Sequence, residues 1–432
     1  CPAPTGEPRC SALRVVLQNA AGESLALHAD PTSHVDALRP RAAELCQAPA
    51  LCQSLLAGHT LMRGSDQLIQ HCHEDANVLT VTVVVSLEEM FRGLQDPIRR
   101  LSVLRSLAQR PVRGNEALVR EVIDCLESPT ASVRKAVLET LVKVGEKGEW
   151  LPVAAACMCL EDKNFEVRSA AVTSIGELAG RGNAAAVTEV CERLAHGDRG
   201  TREAATAALA EVAERGDARA VAVVSALLQD KRELVRSTAL KALVHVARPG
   251  DDVLAAAVCA RLRDTSSGVR AAAVEALDWV ADKGNERVLA AVCELLDAPE
   301  PFVQEAATTA LRKVAKRGDR HLVATMRARL RGCQLHERSG RVQALVAVVQ
   351  PGDKDAVEAV TACLRLESRR VRRADMMRLL PLVLERGSEA ALASVCAWLE
   401  DGDPEVRAAA VEALAGVAER GDARAVALLC AL

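Results

Sequence analysis

Few side chains of this 432-residue chain are spaced for chemistry. His71-Cys72-His73-Glu74 gathers three kinds of metal ligand, but neighbours in one short loop do not enclose an ion unaided, so the segment reads as a solvated loop. Gly180-Arg181-Gly182-Asn183-Ala184-Ala185 fits the dinucleotide fingerprint only formally, because a helix rather than a strand precedes it. Phosphate-loop, Gly-x-Ser-x-Gly and His-Glu-x-x-His sequences do not occur. No catalytic residue, metal centre or cofactor is therefore expected, and the chain reads as a non-enzyme.

Fifteen cysteines would suggest a disulfide framework in a short secreted chain. Here Cys157, Cys191, Cys259, Cys293, Cys396 and Cys430 recur at multiples of 34, with one extra residue between Cys293 and Cys396 and Ser225 at a skipped position. One small residue type at equivalent sites predicts buried packing in a reducing compartment, hence the cytoplasm.

Charge is segregated. From Arg312 to Arg373 sixteen Lys and Arg face six Asp and Glu, inside a chain of formal net charge −3. Arg369-Arg370-Val371-Arg372-Arg373 is the densest part, and Arg327, Arg329, Arg331, Arg338 and Arg341 lie one or two repeats earlier. Stacked repeats would align these cations into a surface for an acidic protein partner; a solvated basic face is the alternative. With no Tyr, three Phe and three Trp, the chain lacks side chains for base stacking, which disfavours nucleic acid. No apolar run reaches the roughly 18 residues that cross a bilayer, so no membrane is expected.

The elements that carry these residues repeat. Gly114, Gly148, Gly182, Gly216, Gly250, Gly284, Gly318 and Gly352 stand 34 apart, and Gly387 and Gly421 continue after a one-residue insertion. Each precedes a polar residue such as Asn183, Asp251 or Asp319, which predicts a helix ending in left-handed glycine and a capped helix beginning. Val187, Val190, Cys191 and Leu194 form the apolar face of a first helix. Val269, Ala272, Ala273, Ala276, Leu277 and Val280 form that of a second. Each unit is a helical hairpin that must bury its faces on its neighbours.

Arg134, Arg168, Arg202, Arg236, Arg270, Arg338, Arg372 and Arg407 recur at the start of second helices, with Gln304 in the ninth place. Asp162, Asp230, Asp264 and Asp401 precede some of them in the turn, whereas Ser128, His196, Ala298, Gly332 and Leu366 replace the Asp elsewhere. The pattern, clearest in Asp401-Gly402-Asp403-Pro404-Glu405-Val406-Arg407-Ala408-Ala409-Ala410, resembles the HEAT family and its short phycobilisome-lyase-type subclass over residues 87–432. That resemblance implies a structural ladder in which Asp162, Arg168, Asp230, Arg236, Asp264, Arg270, Asp401 and Arg407 tie adjacent repeats. It also leaves a bilin lyase or isomerase as the alternative function. A di-iron hydroxylase of similar scaffold uses several His-Glu pairs, and this chain has only His73-Glu74 and His336-Glu337.

Residues 13–86 follow another period. Leu13, Val15 and Leu17 alternate, as do Leu25 and Leu27, around a turn at Asn19-Ala20-Ala21-Gly22. A helix can start near Ser33, carrying Val35, Leu38 and Ala42, and Val78 to Val85 is β-rich. This order resembles the ubiquitin-like β-grasp fold, without a Gly-Gly tail. The resemblance implies a recognition domain for ubiquitin-pathway proteins and makes Leu55 a candidate docking residue.

The expected architecture is mainly α. A flexible segment (1–12) and a small α+β ubiquitin-like domain (13–86) precede an α-solenoid of about ten 34-residue hairpins (87–432), with an irregular first unit at Leu87–Gln109. The chain starts at Cys1 without Met and stops at Leu432 one helix into a repeat, so it is expected to be truncated. The expected function is a protein-interaction scaffold.

Overall fold

The structure is a computed structural model that describes residues 12–46, 53–72, 78–109, 111–332, 338–367, 369–419 and 422–430. Most of the segment expected to be flexible, together with His73, Glu74, His336, Glu337 and Gly421, lies outside the described residues. The chain divides into two compact units, 1–214 and 215–432.

The first unit opens with β1 (Leu13–Asn19), β2 (Ser24–Ala29), α1 (Arg39–Cys46), β3 (Gln53–Ala57), β4 (Thr60–Leu61) and β5 (Val78–Val85). They build one sheet in the order β2-β1-β5-β3-β4, with β1 and β5 parallel and every other pair antiparallel. Alternation turns Val15, Leu17, Val81 and Val83 inward onto Leu38 and Leu68. The expected β1–β2 turn forms: Asn19 Oδ1 accepts from the N–H groups of Ala21 (3.1 Å) and Glu23 (2.9 Å).

The helix expected from Ser33 starts later. Val35–Leu38 is a 3₁₀ turn, held by the Val35 N–H on Asp66 O (2.9 Å), and the α-helix begins at Arg39. Pro40 explains the delay, since it lacks an N–H and suits only the first turn of a helix.

Helices follow as hairpins. In the first unit they are α2 (Glu88–Gln95) with α3 (Arg100–Gln109), α4 (Glu116–Asp124) with α5 (Ala131–Val144), α6 (Trp150–Met158) with α7 (Phe165–Ala179), and α8 (Ala184–Arg193) with α9 (Arg199–Val212). The second unit begins with α10 (Ala218–Leu227) and α11 (Glu233–Val246), α12 (Asp252–Arg261) and α13 (Ser267–Val280), and α14 (Glu286–Leu295) and α15 (Pro301–Val314). It continues with α16 (Arg320–Arg331) and α17 (Arg338–Val348), α18 (Lys354–Leu366) and α19 (Arg370–Leu379), α20 (Glu389–Cys396) and α21 (Pro404–Val417), and finally α22 (Ala423–Cys430). Within each unit the second helices pack in sequence order, α3 to α9 and α11 to α21.

Small side chains make this stacking close. Ala205, Ala208, Ala239, Ala273 and Ala307 are fully buried beside Val and Leu. The recurrent cysteines Cys157, Cys191, Cys259 and Cys293 are buried free thiols, as their spacing predicts, while Cys396 is half-buried. The Cys430 side chain lies outside the described ones. Burial pushes the Cys157 thiol up to about 12 and the Cys259 thiol to about 11, so neither is a nucleophile at neutral pH.

The recurrent glycines are left-handed as expected, but they do not end their own helices. Helix α11 stops at Val246, before Gly250, whose N–H crosses to the next repeat and donates to Val280 O, the last residue of α13 (2.8 Å). Gly148 does the same to Leu178 O (2.8 Å), Gly284 to Val314 O (2.7 Å) and Gly387 to Val417 O (2.8 Å). The following polar residue then caps the next helix: Asn183 Oδ1 accepts from Ala186 N–H, and Asp251 Oδ1 from Val253 and Leu254 N–H.

Two substitutions separate the conformational cost from the steric one. At Gly148, φ is +81° and a Cβ would meet nothing within 4 Å, so Gly148→Ala should lose about 1–2 kcal/mol in urea unfolding. At Gly284, with φ +83°, a Cβ would also come 2.9 Å from Lys316 Cδ, and Gly284→Ala should lose more.

Candidate partner-binding surface

The ladder residues show what a repeat does with its charges. Arg134 Nε and Nη2 donate to Asp162 Oδ2 (2.6 Å) and Oδ1 (2.8 Å) of the following repeat, and its Nη1 donates to Ser128 O in its own turn (2.8 Å). Arg236 repeats the arrangement on Asp264 (2.7 Å twice) and Asp230 O (2.9 Å). Arg168, Arg270 and Arg407 hold the turn carbonyls of Asp162, Asp264 and Asp401, and Gln304 takes the equivalent carbonyl of Ala298. Asp230 is engaged by Arg232, whose side-chain and N–H hydrogen bonds pull its carboxyl down to about 2.

One rung differs from the expected register. Arg373, not Arg372, donates to the turn carbonyl (Glu367 O, 2.7 Å) and pairs with Asp401 (3.2 Å). Counted back from Asp401, the turn position of that repeat falls on Glu367 rather than Leu366. The extra residue is therefore taken up before Glu367, and four arginines in five positions hide the shift in the sequence.

Much of the basic stretch is engaged internally. Arg327 pairs with Asp355 (2.5 Å), Arg329 with Asp297, and Arg341 with the same Asp297 (3.1 Å) while donating to Arg329 O (2.7 Å). Arg331 and Arg369 are exposed, Arg372 is half-exposed, and the Arg370 side chain lies outside the described ones. Arg338 is half-buried, and its Nη1 finds no hydrogen-bond partner among the described residues.

Leu55 is corrected too: it is 1% exposed and packs in the core of the sheet, so it is closed to docking. Strand alternation turns its neighbour Leu56 to the outer face, beside Leu61 on β4 and Thr82 on β5. His71 is held by Asp66 (Nε2 to Oδ2, 3.1 Å). Among the described residues no group of three or more His, Cys, Asp and Glu could hold a metal ion, and no helix is long and apolar enough to cross a membrane.

Composition alone did not reveal where the few aromatic rings stand. Phe165 (73%) and Trp279 (56%) are exposed, with Trp150 and Phe302, although most of the core is aliphatic. Phe165 edges an open groove of about 390 Å3 between α5 and α7. Phe302 edges one of about 690 Å3 along α11, α13 and α15 and lies under the Arg270 guanidinium, 4.4 Å from its ring centre.

Family models for HEAT repeats match residues 119–345 in overlapping spans, and a HEAT repeat model matches 391–420. The chain belongs to the HEAT-repeat family. No curated protein matches this HEAT-repeat chain. Solved structures of similar fold include Kap121p bound to Nup53p (TM-score 0.51, 13% identity) and Kap121p bound to Ste12p (0.51, 12%). Each alignment covers 76% of this chain and 41% of the other, so the HEAT-repeat chain spans about two fifths of their length.

The Arg134–Asp162 pair is nearly buried on both sides, so Asp162→Ala should cost about 3–5 kcal/mol in urea unfolding by stranding the guanidinium. Burial alone would raise the Asp162 carboxyl, but hydrogen bonds from Arg134 and the Asn164 N–H hold it below its ordinary 3.8. A lowered folded pKa means stability present above the unfolded value and lost as pH falls through the folded one. Asp162→Asn should therefore lose less of its remaining stability than the unmodified chain between about pH 5 and about pH 2.

Proposed function

We propose that this HEAT-repeat protein is a non-catalytic scaffold that binds protein partners on the faces of its stacked helices. The observation that carries this is the exposure of Phe165, Trp279, Phe302 and Trp150 in a chain with six aromatic residues. A soluble helical array gains nothing from rings in water, whereas large, rigid aromatics are the usual anchors of protein interfaces. The open grooves beside Phe165 and Phe302 suit an extended partner segment more than an enclosed substrate. The similar fold of Kap121p, solved with Nup53p and with Ste12p, agrees with that reading.

The finer reading is an acidic partner at the basic stretch, where Arg331 and Arg369 remain exposed beside internally paired arginines. At the other end, residues 13–86 are read as a ubiquitin-like domain that recruits ubiquitin-pathway proteins. Its strand order, with α1 between β2 and β3, and the exposed Leu61 and Val84 support this. The buried free thiols favour a reducing, cytoplasmic setting.

In a pull-down with purified chain as bait, the double variant Trp279→Ala/Phe302→Ala should retain at least about tenfold less of the proteins that the unmodified chain captures. Its far-UV circular dichroism should not change. Equal capture by both baits would reject the scaffold reading.

A further inference from the structure

Between α16 and α18 lies a cleft of about 320 Å3, lined among others by Arg327, Arg331, Arg338, Asp355, Glu358 and Leu366. Its chemistry follows from a rung of the ladder that is left open. Arg134 and Arg236 each commit their guanidinium to an Asp of the next repeat and to a carbonyl of their own turn. Arg338 occupies the equivalent place in α17, but the next turn offers Leu366 and Glu367 in place of Asp. Glu367 Oε1 accepts from the Arg369 N–H (3.0 Å), and its Oε2 is buried without a partner among the described residues. Arg338 Nη1 is likewise buried and unpartnered, at the wall of the cleft.

A buried, unsatisfied guanidinium donor is costly, and a carboxylate is the partner that satisfies it best. The surroundings select for the same charge. Asp355 is paired with Arg327 (2.5 Å), and Glu358 makes no ion pair among the described residues, while Arg331 in the lining is exposed, as are Arg365 and Arg369 on either side of Leu366 and Glu367 in the sequence. Leu366, displaced from the turn position by the inserted residue, stands 65% exposed at the cleft. Cationic donors beside an exposed aliphatic side chain complement an acidic residue next to an apolar one.

We propose that this cleft docks an acidic, leucine-containing polypeptide segment, one carboxylate of which takes the open rung at Arg338 while its apolar side chain covers Leu366. This rests on the scaffold reading and names the chemistry of one partner. Its size, at the small end of ligand pockets, fits a few side chains rather than a cofactor.

Fluorescence polarisation of a labelled poly(Glu,Leu) peptide against the full chain tests it, with poly(Lys,Leu) of equal length as control. The acidic peptide should bind more tightly than the control and weaken with added salt. Arg338→Gln and Arg331→Glu should each weaken it by about tenfold or more, and Leu366→Ser should weaken it as well. Arg331 is exposed at the surface, so its variant reads the cleft even if Arg338→Gln lowers stability. Trp279→Ala/Phe302→Ala, at residues on α13 and α15 that do not line the cleft, should bind the peptide normally.

Equal affinity for the two peptides, affinity indifferent to both arginine variants, or displacement of the peptide by single-stranded RNA through the same arginines would overturn the proposal. If peptide binding fails while aromatic-dependent capture persists, the cleft inference falls and the scaffold reading stands. Loss of both removes the scaffold reading too.

Discussion

The hydrogen bond that the recurrent glycines from Gly148 to Gly387 make to a carbonyl at or just past the end of the following repeat's second helix is the constraint on which the helical stacking depends. A helix end leaves carbonyls without intrahelical partners, and these must be satisfied by something. Here the neighbouring repeat supplies the donor, so a repeat alone would lack a cap on its second helix. Only a residue tolerant of positive φ can hold that N–H in place, as at Gly250 (+79°). Stacking is therefore specified by the backbone before any side chain contributes.

Side chains then refine the junction. The Arg–Asp rung ties the start of a second helix to the next turn, at the end of the repeat remote from the glycine, so two links clamp each junction where both are present. Where the Asp is missing the arginine finds other work. Arg270 turns to the ring of Phe302, and Arg338 keeps a donor without a partner among the described residues. The proposed binding surface thus draws on departures in a motif whose regular members are structural.

Much of this was legible in the sequence because a packing rule repeated many times is hard to misread. Glycine spacing, N-cap residues and buried cysteines each follow from one local requirement. What stayed hidden was relational. Spacing shows that Gly250 is left-handed but not that its donor serves Val280 in another hairpin. Arg372 and Arg373 are indistinguishable until Asp401 selects one. Leu55 and Leu56 differ only by strand parity. The basic stretch gave its charge, but Asp297, which takes up both Arg329 and Arg341, lies outside it.

The inserted residue shows how such an array tolerates change. Helix α18 spans 13 residues where α12 and α14 span 10, and the bond from Gly352 reaches Val383, one residue further than its counterparts. Beyond it, the spacings from Gly387 to Val417 and from Arg373 to Asp401 return to the common values. A length error is absorbed within the hairpin that suffers it, because no bond of the regular set skips a neighbour. Lineages carrying such a scaffold are thereby free to add, drop or disfigure single modules, and to acquire new specificity in one place while the rest of the inheritance is left alone.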